Sequence, residues 1–544
     1  MTVTLRLAAP GLLLALAVLV PFLQKPFTID DTLFLRMAEQ ALVEPLHPTA
    51  FDYLWDVYPQ RVSTIMPSGP VGAWLLTPAV MLGGAEWAGH GVTLLLLLIG
   101  ILATVSLGRR LGLDDNAARF GGLLLAATPA VLGMAGTCMP DVAAMTFGVL
   151  GLERLAAWFG RSREESSQSI HPWSRLLPGL ICLSLSILAR SHGLLLLGVA
   201  ALLILRSRDG LQRPRVLQRL SLLLPVPFLA FAVFMLTRDP AGGAGVDDAV
   251  GGFFTLDVLR LNLFSFVTHY VLALPLVVPL WLARRSRVHW GTVLGGTLLA
   301  VHALDASRRL SEWWALAPLA GLGFAVLLHL VIDGWKQRAA PSEPGPLDGL
   351  ARSALIVWLF VAAPVAVYLQ LPAKYLVLSA PAFALLFVAE VRSPRLRIAT
   401  LVYGVLLGVL ILRADANLAG VQRQAVEQQL TPRLEQGQTI YFAGHWGFQW
   451  YAEEAGVEPL TDEFEPGDLV LLDPLAAGRN QLDFHVPEEN RTLVELVPLG
   501  HPGGRLMSGG AGFYSNQWGL LPWAYSSEPI VTFELWRIDR ITGD

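Results

Sequence analysis

Apolar runs of spanning or near-spanning length recur from Leu5 to about Leu412, and no other feature constrains the fold of this chain as strongly. They fall near 5–23, 86–107, 118–137, 141–159, 176–190, 192–206, 218–237, 261–283, 288–304, 313–332, 353–371, 374–391 and 397–413. A backbone in lipid must satisfy its own hydrogen bonds, so the runs predict a polytopic α-helical membrane protein of about thirteen spans. Charged residues make up 15% of the chain, against about 25% in soluble domains, so most of it belongs in lipid. The first run has only Arg6 as a basic flank and no small-residue cleavage site before Lys25, which predicts an uncleaved signal anchor. The stretch 69–83 is too short and too rich in Pro and Gly to cross, and reads as a juxtamembrane helix.

Arginines set the expected orientation. One set of connections holds Arg109 and Arg110, Arg161 and Arg163, and Arg206, Arg208, Arg213, Arg215 and Arg219. The same set continues with Arg284, Arg285 and Arg287, Lys336 and Arg338, and Arg392, Arg395 and Arg397. The alternate connections are poorer in basic residues, although Arg308 and Arg309 interrupt them. By the positive-inside rule the first set is cytoplasmic, which places the N-terminus inside and the C-terminus outside a plasma (inner) membrane. Lys25, Lys336 and Lys374 are the lysines of this arginine-rich chain, a bias that speaks of genome composition more than chemistry. A net charge of -4 gives no sign of nucleic-acid binding. Cys138 and Cys182 suggest neither a disulfide framework nor a metal cluster.

After Arg413 the composition turns near-soluble, with β-like runs at 439–444, 468–474, 492–499 and 529–538 and a helical stretch at 446–456. The expected organisation is a transmembrane domain over 1–413, with a first outer loop at 24–68, and an extracytoplasmic α/β domain over 414–544.

The first outer loop carries the strongest chemical signal, the acidic pair Asp30-Asp31 just past the first span. Carboxylates beside a bilayer are costly to place and suit general-base work on an acceptor hydroxyl or amine. The plainer alternative has Asp31 capping the helix that follows while Asp30 is solvated. Tyr53, Trp55, Tyr58, Asp52, Asp56 and Arg61 share the loop, and aromatic faces suit sugar rings. Asp141 lies on the same outer side, where it also reads as a helix start. Arg190, His192, Lys374 and Tyr375 stand at outer turns, where cations bind phosphate or merely snorkel. Arg308, Arg309 and Glu312 form a further outer cluster that an interfacial Arg/Trp belt explains equally well. His269, His302 and His445 lack metal-ligand spacing, and no P-loop or GxGxxG turn is present.

In order along the chain, these segments resemble the polytopic GT-C glycosyltransferases that use dolichyl- or polyprenyl-phosphate sugars. That group includes the family 39 protein mannosyltransferases and the aminoarabinose transferases that modify lipid A. Asp30-Asp31 matches the acidic pair after the first span, and 126–155, with Asp141, is similar to the third and fourth spans. LSLSILARSHGLLLLGVAALLI (183–204) resembles the short hairpin, with Arg190 where many members have Lys. AKYLVLSAPAFALL (373–386) resembles an R-Y-L-x-x-x-x-P run, with Lys374 in place of Arg. Many members carry Asp-Glu where this chain has Asp-Asp, and His-Pro-Pro or Asn-Pro-Pro where it has Met66-Pro67-Ser68-Gly69-Pro70.

The resemblance implies transfer of a sugar from an undecaprenyl-phosphate-type donor to a lipid, protein or cell-envelope glycan on the outer side. Asp30 or Asp31 would activate the acceptor, with Lys374, Tyr375 and Arg190 near the phosphate. Asp141, Arg61, Tyr58 and Arg308 would contact substrate. A divalent metal is left open and none is assigned. A transporter or flippase of a lipid-linked or small polar substrate, and an inactive scaffold, are the competing classes.

Overall fold

The computed structural model describes residues 2–66, 69–161, 173–206, 213–239, 255–284, 288–339 and 347–539. Pro67, Ser68, Arg163, Arg208, Arg285 and Arg287 lie outside the described residues. Each of the expected apolar stretches contains helix, although 353–371 ends in irregular backbone after Val367. Among the described residues, seven helices are long and apolar enough to cross a membrane, or nine if each of two bent pairs counts as one crossing. Length and composition of the described residues bear out a polytopic helical chain and do not confirm the expected count of thirteen.

The bends have a local cause. Helix Asp115–Ala126 meets Pro129–Ala135 at 55°, and Leu256–Leu272 meets Val277–Ala283 at 65°. Pro129 and Pro275 stand at these breaks, and proline lacks the N–H that would continue the ladder. Helices Ser191–Arg206 and Leu176–Ala189 are apolar but short. The stretch expected as a juxtamembrane helix forms Val71–Met81. Helices Thr2–Leu19 and Asp115–Ala126 cross closely at Gly11, where a Cβ would sit 2.8 Å from the Gly122 carbonyl oxygen.

Charged side chains gather at the helix ends. At one end Arg206 donates to the carbonyls of Arg110 (3.0 Å) and Leu111 (3.0 Å) and pairs with Asp348. Arg284 pairs with Asp333 (2.9 Å) and with Glu390, which also accepts from Arg352 (2.6 Å). Arg206 and Arg284 belong to the basic set of connections, and Arg352 lies in the helix Gly349–Leu359.

The last long helix, Pro394–Ala425, runs unbroken through the expected domain boundary at 413/414. Beyond it a four-stranded sheet forms in the order Ile440–Ala443, Leu469–Leu472, Val531–Ile538, Arg491–Leu499. The first two strands are parallel and flank the helix Trp446–Glu454, and the rest pair antiparallel. All four expected strands are present. Phe448 stacks between Phe442 (6.0 Å) and Phe533 (5.3 Å), within the same buried apolar cluster that runs through the helices. The sheet is thus docked on the helical part through a shared core.

Candidate active site

The acidic pair is divided by the helix it starts. Asp30 precedes helix Asp31–Val43 and Asp31 is its first residue, and neither side chain caps it. Successive side chains on a helix diverge by about 100°, so the two carboxylates leave in different directions. The capping alternative does not describe this structure.

Asp30 turns toward a partly open site. Its Oδ2 accepts from Lys374 Nζ at 3.2 Å, with the side chains of Asp30 and Lys374 15% and 6% exposed. Lys374 sits in the 3-10 turn Ala373–Ser379, entered through Pro372. Beside it the Arg190 fork donates Nε to Asp141 Oδ1 (3.1 Å) and Nη2 to Asp141 Oδ2 (2.6 Å). Such bidentate pairs fix geometry as well as charge. Asp141 opens helix Asp141–Arg161, and Arg190 stands in the break before Ser191–Leu195. The Tyr375 ring joins the two pairs: Arg190 lies 5.7 Å and Lys374 5.6 Å from its centroid, and His192 meets it edge-on at 6.1 Å. Four separate chain segments therefore bring two carboxylates, two cations and an aromatic face together.

Asp31 turns inward and is wholly buried. Its Oδ1 accepts from the Cys138 N–H (2.7 Å), while Oδ2 faces the Thr28 N–H (3.5 Å) and Lys25 Nζ (3.7 Å). Lys25 lies closer to Asp415 (2.8 Å), whose other oxygen accepts from the Tyr514 hydroxyl (2.9 Å). Burial pushes the Asp31 carboxyl up from 3.8 to about 7, against the pull of the Lys25 ammonium. Its oxygens already have protein partners, so no acceptor can approach them without dismantling the network.

The remaining expected residues lie elsewhere. Arg61 pairs with Asp239 (2.6 Å) and Asp52 (3.6 Å) on the hairpin Asp52–Leu54/Pro59–Arg61. Tyr58, at the tip, packs on Phe484 (4.9 Å) and His485 (5.6 Å), and His485 Nε2 bonds the Val57 carbonyl (2.9 Å). Arg308 holds a left-handed turn (φ 58°), and its neighbour Arg309 donates to the carbonyls of Asn516 (3.4 Å) and Gln517. Among the described residues no hydrogen bond, ion pair or ring contact joins Arg61, Tyr58 or Arg308 to the Asp30 cluster. Sequence reasoning missed Lys25, Asp415 and Tyr514. The available signal was the rarity of lysine: two of the three lysines pair with the acidic doublet.

Among the described residues, the one group with metal-ligand spacing is already engaged with protein partners. Asp31, His90 and Cys138 bring ligand atoms within 4.8 Å of one another. The Lys25 ammonium already supplies the positive charge beside Asp31, and His90 Nδ1 and Cys138 Sγ face each other at 3.7 Å as donor and acceptor. Asp30 and Asp141 each already hold a cation.

No family model matches the chain, and no curated protein matches it. Among solved structures, the apo oligosaccharyltransferase of Archaeoglobus fulgidus is similar with a TM-score of 0.43 and 12% identity, over 84% of this chain. This chain spans 64% of that protein's length. ArnT from Cupriavidus metallidurans bound to undecaprenyl phosphate gives 0.43 and 14% identity, covering 90% of this chain and 96% of that one. The arabinofuranosyltransferase AftD from Mycobacteria gives 0.41 and 13% identity, covering 99% of this chain and 40% of that one. At these scores and identities they are likenesses alone and imply no shared chemistry.

Proposed function

We propose that this chain is a membrane glycosyltransferase of GT-C type that transfers a sugar from a polyprenyl-phosphate donor to an acceptor hydroxyl or amine. The observation that carries the reading is the Asp30–Lys374 pair at 3.2 Å, partly open and next to the Arg190–Asp141 fork and Tyr375. A base and two cations beside apolar helices suit a substrate whose phosphate sits at the interface and whose lipid lies between helices. The arginine-rich connections support an outer-side location for this site and a cytoplasmic N-terminus.

In the proposed reaction the donor phosphate binds Lys374 and Arg190. Phosphate oxygens compete for the Lys374 ammonium and free Asp30 Oδ2, which then accepts the acceptor's proton. The acceptor oxygen or nitrogen attacks the anomeric carbon in line as the bond from that carbon to the phosphate oxygen breaks. Polyprenyl phosphate leaves with the bonding electrons, and the cations stabilise its growing charge. Asp141 holds the Arg190 fork in place, and Asp31 anchors the start of the helix from which Asp30 projects. Of the two acids, partial exposure and a displaceable partner favour Asp30 as the base.

The test uses the purified full chain in proteoliposomes with radiolabelled undecaprenyl-phosphate sugars and envelope-lipid, peptide or glycan acceptors. Wild type should release polyprenyl phosphate and form a labelled glycosidic bond, and Asp30→Asn should not. Substrate counter-flow across the bilayer with no new bond would replace this reading with transport.

A further inference from the structure

The segments that deliver the two halves of the Asp30–Lys374 pair are both irregular. Residues 25–28 precede Asp30, and 368–372 precede Lys374, without helix or strand. Irregular backbone at such a place leaves N–H and C=O groups that must find partners. Here side chains from beyond the last span supply some of them, Tyr451 for the Phe27 N–H and Asn516 for the Leu371 N–H, while Asn262 and Ser265 of helix Leu256–Leu272 supply others.

On the acidic side, the Phe27 N–H donates to the Tyr451 hydroxyl at 2.8 Å. The Thr28 hydroxyl donates to Gln422 Oε1 (2.9 Å), whose amide in turn donates to buried Asp473 (3.1 Å). Trp450 meets the Phe27 ring edge-on at 5.7 Å, and Arg36 pairs with Glu453 at 2.9 Å. Helix Trp446–Glu454 lies so close to the loop that a Cβ on Gly447 would sit 2.3 Å from the Phe27 carbonyl oxygen. On the cationic side, the Leu371 N–H donates to Asn516 Oδ1 (3.2 Å), and Asn516 Nδ2 donates to Asn262 Oδ1 (2.8 Å). Asn262 Nδ2 donates to the carbonyls of Ala366 (3.0 Å) and Tyr368 (2.7 Å), and the Ser265 hydroxyl to that of Leu371 (2.9 Å). Asn262 and Asn516 are both buried, where an amide is costly unless its donors and acceptors are matched. Ordinary apolar docking of a domain requires none of these bonds.

We infer that the C-terminal region is a clamp for the site, with Tyr451 and Asn516 as positioning residues that hold the Asp30 and Lys374 segments at their working separation. This rests on the proposed reaction only for what the pair does, because the clamp itself is a matter of geometry. The two grips address different partners. Loosening Tyr451 displaces the base, whereas loosening Asn516 displaces the phosphate cation.

The experiment combines amide hydrogen exchange with transfer kinetics on the full chain in detergent or liposomes. Tyr451→Phe should speed exchange in 26–31 and lower kcat by about tenfold with donor KM unchanged. Asn516→Ala should speed exchange in 368–374 and raise donor KM by about tenfold. Glu495→Ala, on the outer strand away from both grips, should change neither. Unchanged exchange in both segments overturns the clamp. So does a loss in both variants that merely tracks folded protein, with no split between kcat and KM. Tyr451→Phe removes one oxygen and keeps the test decisive if Asn516→Ala does not fold. Exchange that shifts as stated in a chain that transfers no sugar would sustain the clamp and sink the glycosyltransferase reading.

Discussion

Asp30 and Asp31 are adjacent in sequence and each faces a lysine, yet they sit in opposite kinds of environment. Asp30 meets Lys374 at a partly exposed site beside a second ion pair. Asp31 shares Lys25 with Asp415 in a sealed network closed by Tyr514 and the Cys138 N–H. Similar groups therefore serve different ends. An ion pair that substrate can reach can exchange partners, whereas one without access can only hold its place. Perturbed ionisation does not by itself mark the reacting group here: burial shifts the Asp31 carboxyl to about 7, but its oxygens are already committed.

The comparison breaks most readily at Asp30. Asp30→Asn should lower kcat for transfer by roughly 10²–10⁴-fold with the protein still inserted, as measured by initial rates at saturating donor. Asp31→Ala should act on folding instead. It leaves Lys25 with one carboxylate and the Cys138 N–H unpaired, a loss of about 1–3 kcal/mol of the kind seen when a buried donor is left unsatisfied. Thermal unfolding in detergent reads that loss, and the surviving folded fraction should keep near-normal donor KM. If Asp31→Ala folds normally but is inactive, the division of labour between the two acids is wrong. Lys374→Ala should raise donor KM by about tenfold and acceptor KM far less; an unchanged donor KM would reduce Lys374 to a structural partner of Asp30.

A smaller effect sharpens the same contrast through pH. Burial holds Asp473 at about 6 and Asp31 at about 7, both above the ordinary 3.8. Each binds its proton more tightly in the folded chain than in the unfolded one. Their contribution to stability is therefore full below about pH 4 and is lost as pH rises through about 6 and 7. In Asp473→Asn the Asp473 share of this loss, which falls between about pH 4 and 6, should disappear while the Asp31 share remains, which melting curves at a series of pH values would reveal. Smallest of all, Tyr58→Ala should change kcat less than about twofold, because its ring packs on Phe484 and His485 rather than on the Asp30 cluster.

The sequence made the helices and the four sheet strands legible because hydrophobic periodicity and composition are local signals. Asp30, Asp141, Arg190, Lys374 and Tyr375 were legible as a group because outer turns collect at one end of a helix bundle. Lys25 was harder, since one lysine flanking a span reads as an anchor until its partners are known. Asp415 lies two residues past the last apolar run and looks like the start of a soluble region, but its helix continues to Ala425 and carries it inward. Asn262 and Asn516 are separated by 254 positions and meet only in the fold. Their pairing, like that of Tyr451 with Phe27, has no local signature.

The most direct test of the central claim follows radiolabelled sugar from undecaprenyl phosphate in proteoliposomes bearing wild type, Asp30→Asn or Asp31→Asn, each normalised to folded protein. The account predicts transfer by wild type, its collapse in Asp30→Asn, and substantial activity per folded molecule in Asp31→Asn. Equal transfer by wild type and Asp30→Asn would contradict it.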